Sequence, residues 1–252
     1  MTQQEREATR AIRTTKAPYK PWISSPNVGL SFAYHLIGFI SFASSFHFLE
    51  QYPNPLNASY GGKYQYLTIL GLCGSYLAFL LALLADAASL YSKDFSNLLY
   101  QLKNSVSVAV TPLECVITVL YWSLKLYDPK LLKHPAVKEQ IPLWLDMSIH
   151  LVPAVALFLD VVLMGQPWNL TTVQAVVANF GLSAAYWFWV HKTASVNNFF
   201  PYPFLGLVST EVRVGVFIGA GVIGYISYII IRGLQSTFAR SPLDQLKGKK
   251  SI

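Results

Sequence analysis

Apolar residues along this chain fall into six blocks separated by short polar stretches: Leu30–Leu49, Lys63–Ala85, Leu98–Leu126, Ile141–Met164, Leu170–Val190 and Glu211–Arg232. Each is about 20 residues or longer, the length a helix needs to cross a bilayer at 1.5 Å per residue. The pattern predicts an all-α polytopic integral membrane protein, a bundle of six transmembrane helices spanning residues 27–235. Residues 1–26 read as a polar, basic tail and residues 236–252 as a second polar tail. Pro112 predicts a break in the third block, with Glu114 just beyond the kink. In the last block, Gly215 and Gly219 have the spacing that permits close helix approach, here read as packing within the bundle.

Composition agrees with this pattern. Of 252 residues, 53% are hydrophobic and 12% charged, and the mean hydropathy is +0.39. Soluble domains carry about twice that share of charge. The net charge of +7 is no nucleic-acid signature, because the basic residues flank apolar blocks and form no interleaved basic and aromatic surface. Lys and Arg are more numerous on the side that would hold both termini, which predicts those termini in the cytosol. The first 25 or so residues show no apolar run with a cleavage site, so the first span would act as its own insertion signal. Lys249 and Lys250 match a dilysine address read by cytosolic coat proteins, which predicts the endoplasmic reticulum membrane. A sequon at Asn57 would then be luminal and one at Asn169 cytosolic. Cys73 and Cys115 lie in apolar blocks without metal-ligand or disulfide spacing, and no cofactor or metal is expected.

Ionisable residues inside the apolar blocks carry the chemical signal. Burying one at bilayer depth costs at least ~2.5–3.5 kcal/mol on insertion scales, so such residues point to a function until shown otherwise. The fourth block holds Asp146, His150 and Asp160, with His150 one helical turn after Asp146 on the same face. His35 and His47 in the first block read as packing or interfacial. Thr68 lies roughly 9 Å past Gly62, and His150 roughly 12 Å past Pro142, on helices running in the same direction. A hydroxyl and an imidazole at matched depth suit a nucleophile and its base, with Asp146 as an orienting acceptor. Two plainer readings stand beside this one: a buried histidine bonded to a neighbouring helix, and a threonine back-bonded to its own backbone.

Three stretches narrow the choice: YGGKYQYLTIL (Tyr60–Leu70), IPLWLDMSIH (Ile141–His150) and WVHKTASVNNFFPYPFL (Trp189–Leu205). With their order and spacing, they resemble the androgen-induced gene product family, which includes the androgen-dependent TFPI-regulating protein. The resemblance runs from about Ser31 to Ile231. It implies a six-span hydrolase that cleaves fatty acid esters of hydroxy fatty acids, with Thr68 as nucleophile and His150 as its partner. Animal members have Asn at the position of Asp146, so the family chemistry does not require a carboxylate there. Asp146, Glu114 and His191 are candidate supporting residues, and the backbone near Gly61–Gly62 is a candidate oxyanion donor. The substrate would be a lipid ester drawn from the bilayer. The competing readings are a non-catalytic lipid-binding or scaffold protein and a transporter. The chain shows no internal repeat or paired interrupted helices to favour the last.

Overall fold

A computed structural model describes residues 23–52, 54–137 and 141–238. Residues 1–22 and 239–252, with Lys249 and Lys250, lie outside the described residues. The helices are α1 (Leu30–Glu50), α2 (Leu67–Ala88), α3 (Lys93–Tyr127), α4 (Leu143–His150), α5 (Val152–Leu163), α6 (Thr172–Asn197), α7 (Pro203–Leu207) and α8 (Thr210–Phe238). With α4 and α5 counted together, six helical segments are long and apolar enough to cross a membrane, and no strand occurs among the described residues.

The 35-residue α3 is the central post, packed against α2, α4, α5, α6 and α8, while α1 leans on α2 and α4. One end of the bundle carries the connections 51–66, 128–142 and 198–209; the other, the tail side, carries residues 23–29, the end of α8 and the turns after α2 and α5. Side chains of α1, α2, α4 and α5 make one apolar core, with Phe42, Phe79, Leu145 and Leu157 fully buried. A second core joins α5, α6 and α8 around Trp168 and Tyr228.

The expected break at Pro112 does not occur: α3 runs through it as one helix. The break falls in the fourth span instead. Leu151 leaves the helix at φ −134°, ψ −50°, just before Pro153, whose missing N–H and bulky ring cannot continue the ladder. The Thr118 hydroxyl donates to the His150 carbonyl at 2.7 Å, satisfying a group on this break. Residues 191–197, expected as loop, continue α6 to Asn197, where Asn198 closes the helix in the left-handed region at φ 63°. Gly215 and Gly219 meet nothing within 4 Å of an added Cβ, so they do not mediate packing in the bundle. The close approaches on α8 are at Gly221 against Phe180 and Gly224 against Asn179.

The tail-side end is fastened by charge. His35 Nδ1 lies 2.6 Å from Asp86 Oδ2, and its Nε2 lies 3.1 Å from Asp160 Oδ1. Lys103 Nζ sits 2.5 Å from Asp160 Oδ2, and all four side chains are fully buried. Ser31 donates to both Asp86 oxygens, and the Asn27 backbone N–H donates to Oδ1 at 2.8 Å. Two carboxylates and two basic groups from α1, α2, α3 and α5 thus meet in the core. Asp86 is therefore part of the core, not of a polar connector as its neighbours in sequence imply.

Candidate active site

Thr68 sits in the first turn of α2, not partway along an unbroken helix. Before it, Gly61 (φ 87°) and Gly62 (φ 53°) take left-handed backbone that disfavours other residues, and Gly62–Gln65 forms a tight 3-10 turn. That turn is clamped from α6. Asn197 bonds both the N–H and the carbonyl of Tyr60 at 2.9 Å, Trp189 Nε1 donates to the Tyr64 carbonyl at 2.8 Å, and the Tyr186 hydroxyl donates to the Gln65 carbonyl at 2.9 Å. From the FFPYPFL segment, the Tyr202 hydroxyl accepts the Leu67 N–H at 3.1 Å and also bonds Thr68. Two of the three sequence stretches therefore converge on Thr68, and the third supplies the opposite wall.

That wall is α4. His150 Nδ1 faces both the Asp146 carboxylate (2.9 Å) and the Asp146 carbonyl (3.0 Å). The ring stacks flat on Tyr121 of α3, with centroids 3.4 Å apart and planes within 4°. Tyr121 also donates to Asp146 Oδ1 at 2.5 Å, and Lys125, one turn further along α3, pairs with Asp146 Oδ2. His150 Nε2 has no protein hydrogen-bond partner among the described residues. The imidazole is therefore fixed in plane and tautomer, with one nitrogen free to take or give a proton.

Thr68 and His150 border one cavity of about 680 Å³, together with Asp146, Tyr121, Lys125, Tyr66 and Tyr202. A second, smaller and mainly apolar cavity of about 100 Å³ lies between α2, α3, α6 and α8. Thr68, Tyr121, Leu132 and Tyr202 belong to both cavities, so the two adjoin at these four residues. Outside the spans, burial pushes the Tyr66 phenol up to about 12, against the hydrogen bond from Asn54, and raises the Tyr202 phenol as well. Both phenols stay protonated at neutral pH.

The other candidates lie elsewhere. Glu114 is fully buried against α2, where Ser75 donates to its Oε1 at 2.9 Å, and it is not a wall of the cavity. Its side chain reaches from α3 to Gly71 of α2. His191 is held by the Trp187 carbonyl at 2.9 Å, with Arg213 at 3.4 Å and the Phe200 ring nearby, also outside the cavity. Gly61 and Gly62 shape the turn but do not border the cavity. Thr68 makes no back-bond to its own helix, having no helical carbonyl behind it. Three site residues were not anticipated. The one sequence signal for Tyr121 and Lys125 was their four-residue spacing at an apolar block's end, which puts them on one face. For Tyr202 it was the flanking proline pair.

A UPF0641 membrane protein of Schizosaccharomyces pombe is 28% identical over 203 residues, covering 80% of this chain and 88% of the relative. The human androgen-induced gene 1 protein is 23% identical over 199 residues, covering 75% and 81%. No solved structure matches. The family model described as FAR-17a/AIG1-like protein matches residues 30–236, and the chain belongs to that family.

Proposed function

We propose that this chain is a membrane-embedded carboxylic ester hydrolase acting on lipid esters, with Thr68 as nucleophile and His150 as base. Fatty acid esters of hydroxy fatty acids are the substrate class, entering from the bilayer. The observation that carries the reading is the shared cavity: a hydroxyl at its junction with an apolar recess, and an imidazole on its wall with Nδ1 held and Nε2 free. An alcohol attacks an ester only when a base takes its proton, and neutral imidazole is suited to that task.

In the first half-reaction, Thr68 Oγ1 bonds to the ester carbon and its proton passes to His150 Nε2. Collapse of the tetrahedral adduct expels the alcohol, which leaves with the proton from His150. Water attacks the acyl-threonine in the same way, His150 takes its proton, and the acid and free Thr68 are restored. Asp146 supports the base by accepting a hydrogen bond from the Nδ1–H and facing the imidazolium as it forms.

The test is a serine-hydrolase-type activity probe on purified protein, run beside turnover of a branched lipid ester. Wild type should label and turn over, while Thr68→Ala and His150→Ala should do neither. Labelling that survives Thr68→Ala rules out the assigned nucleophile. Tight lipid binding without turnover selects the non-catalytic reading, and flux into liposomes without hydrolysis selects a transporter. The same reading puts the protein in the endoplasmic reticulum membrane with both termini cytosolic, which protease accessibility of tagged ends will check.

A further inference from the structure

An acyl transfer at Thr68 needs a hydrogen-bond donor for the carbonyl oxygen when it takes up negative charge. Removing such a donor from a hydrolase typically costs ~10²–10³ in kcat. Most polar groups around the junction are already committed. Tyr121 gives its proton to Asp146, Lys125 pairs with the same carboxylate, and Tyr186 gives its proton to the Gln65 carbonyl. His150 Nε2 has its own task as base.

We infer that Tyr202 is a catalytic residue whose phenolic O–H donates to the carbonyl oxygen of the ester as that oxygen becomes an oxyanion. The inference rests on the hydrolase reading above. Tyr202 is one of four residues common to both cavities, with Thr68, Tyr121 and Leu132. An ester with one chain in the apolar recess and the rest in the wide chamber therefore presents its carbonyl beside the adjacent hydroxyls of Thr68 and Tyr202. Among the described hydrogen bonds, the phenol oxygen accepts the Leu67 N–H and meets the Thr68 and Tyr186 hydroxyls, and its own proton goes to no backbone carbonyl. Accepting from the first turn of α2 polarises the phenol and makes its remaining proton a stronger donor. Burial keeps that proton in place at neutral pH.

The position is also rigid. Tyr202 stands between Pro201 and Pro203 at the start of α7, and its ring meets Tyr66 edge-on at 5.7 Å. A donor fixed before the reaction costs little reorganisation as charge develops. In the step itself, the Thr68 Oγ1–carbon bond forms and the carbonyl π pair moves onto oxygen. The Thr68 proton goes to His150, and Tyr202 shares its proton with the oxyanion without losing it. Reforming the carbonyl returns the pair and breaks either the bond to the leaving alcohol or the new bond to Thr68.

The experiment compares wild type, Tyr202→Phe and Thr68→Ala for ester turnover, alongside binding of a boronic acid that mimics the tetrahedral adduct. Tyr202→Phe should lower kcat by about 10²–10³ with KM changed less than threefold, and should weaken the boronate in proportion. Tyr202→Phe turning over within threefold of wild type, while Thr68→Ala is dead, overturns the role of Tyr202 and leaves the hydrolase reading standing. Wild-type protein that neither labels nor turns over overturns both. Should Tyr202→Phe fail to fold, near-isosteric 3,5-difluorotyrosine at 202 decides. Its more acidic phenol should move the alkaline limb of the kcat profile to lower pH. That limb is read against the other groups facing the junction: Tyr66, Tyr186, Tyr121, His150, Asp146 and Lys125. An unmoved limb overturns the inference.

Discussion

At the scale of single residues, the orientation of His150 is over-determined. Its Nδ1 proton has two acceptors, the Asp146 carboxylate at 2.9 Å and the carbonyl of the same residue at 3.0 Å, and Tyr121 covers one ring face. This arrangement reconciles the carboxylate seen here with the Asn that the family resemblance implies for animal members. Losing the carboxylate in a serine-protease triad leaves the wrong tautomer and costs about 10⁴ in kcat. Here the backbone carbonyl still holds the tautomer, so Asp146→Asn should keep kcat within about tenfold of wild type. Lys125, deprived of its partner, can turn to solvent, because its side chain is already 32% exposed. Steady-state kinetics on the purified variant will check this, and a loss near 10⁴ would show that the carbonyl does not hold the ring. The sequence could bring Asp146 and His150 together because they lie one turn apart on one helix. It could not bring Tyr121 or Tyr202 to them, since those contacts depend on helix packing that no local spacing records. Thr68 and His150 came from family resemblance; chemistry alone left their plainer readings open.

At the scale of elements, the spans were legible because length and hydropathy are local properties, but their interruptions were not. Pro112 and Pro153 look alike in sequence, yet only the second coincides with a break, because membrane helices tolerate proline wherever neighbours satisfy the freed groups. The break serves the site, since it ends α4 at His150 and leaves that carbonyl to Thr118. Pro153→Ala restores the missing donor and removes the ring. The fourth span should then run straighter, hold or raise the melting temperature in detergent, and turn His150 from its place, lowering kcat at least tenfold. Circular dichroism melts and kinetics on one preparation will separate the two effects. The glycines divide in the same way. A Cβ at Gly38 would lie 2.1 Å from the Phe79 ring, which is fully buried, whereas one at Gly219 meets nothing. Gly38→Ala should therefore destabilise by ~1–3 kcal/mol through overpacking, and Gly219→Ala should be nearly silent in the same melts. Spacing alone had marked the wrong glycines.

At the scale of the whole molecule, the two ends are built on opposite principles. The loop-side end holds a cavity with polar groups set in a mainly apolar wall, while the tail-side end is a buried lock of His35, Asp86, Asp160 and Lys103 joining four helices. The sequence showed Asp160 as an ionisable group at bilayer depth and read His35 as packing or interfacial, with no sign that the two were partners, 125 residues apart. Both ring nitrogens of His35 face carboxylates, an arrangement the imidazolium satisfies with both protons, so the four charges balance. Breaking one member of such a buried set strands a charge and typically costs ~3–5 kcal/mol, whereas replacing a matched pair by neutral residues of similar volume is often tolerated. Lys103→Met should therefore lower stability by about that amount, since Asp160 keeps only His35. Adding Asp160→Asn should recover most of the loss, because the remaining Asp86–His35 pair is again neutral. The coupling in this double-mutant cycle, read from thermal melts, should be large and favourable. The lock sits at the far end of the bundle from Thr68, roughly 15 Å along the fourth span beyond His150. Folded double mutant should therefore keep wild-type kcat. A double mutant as unstable as Lys103→Met would show that geometry, not charge balance, holds this end together.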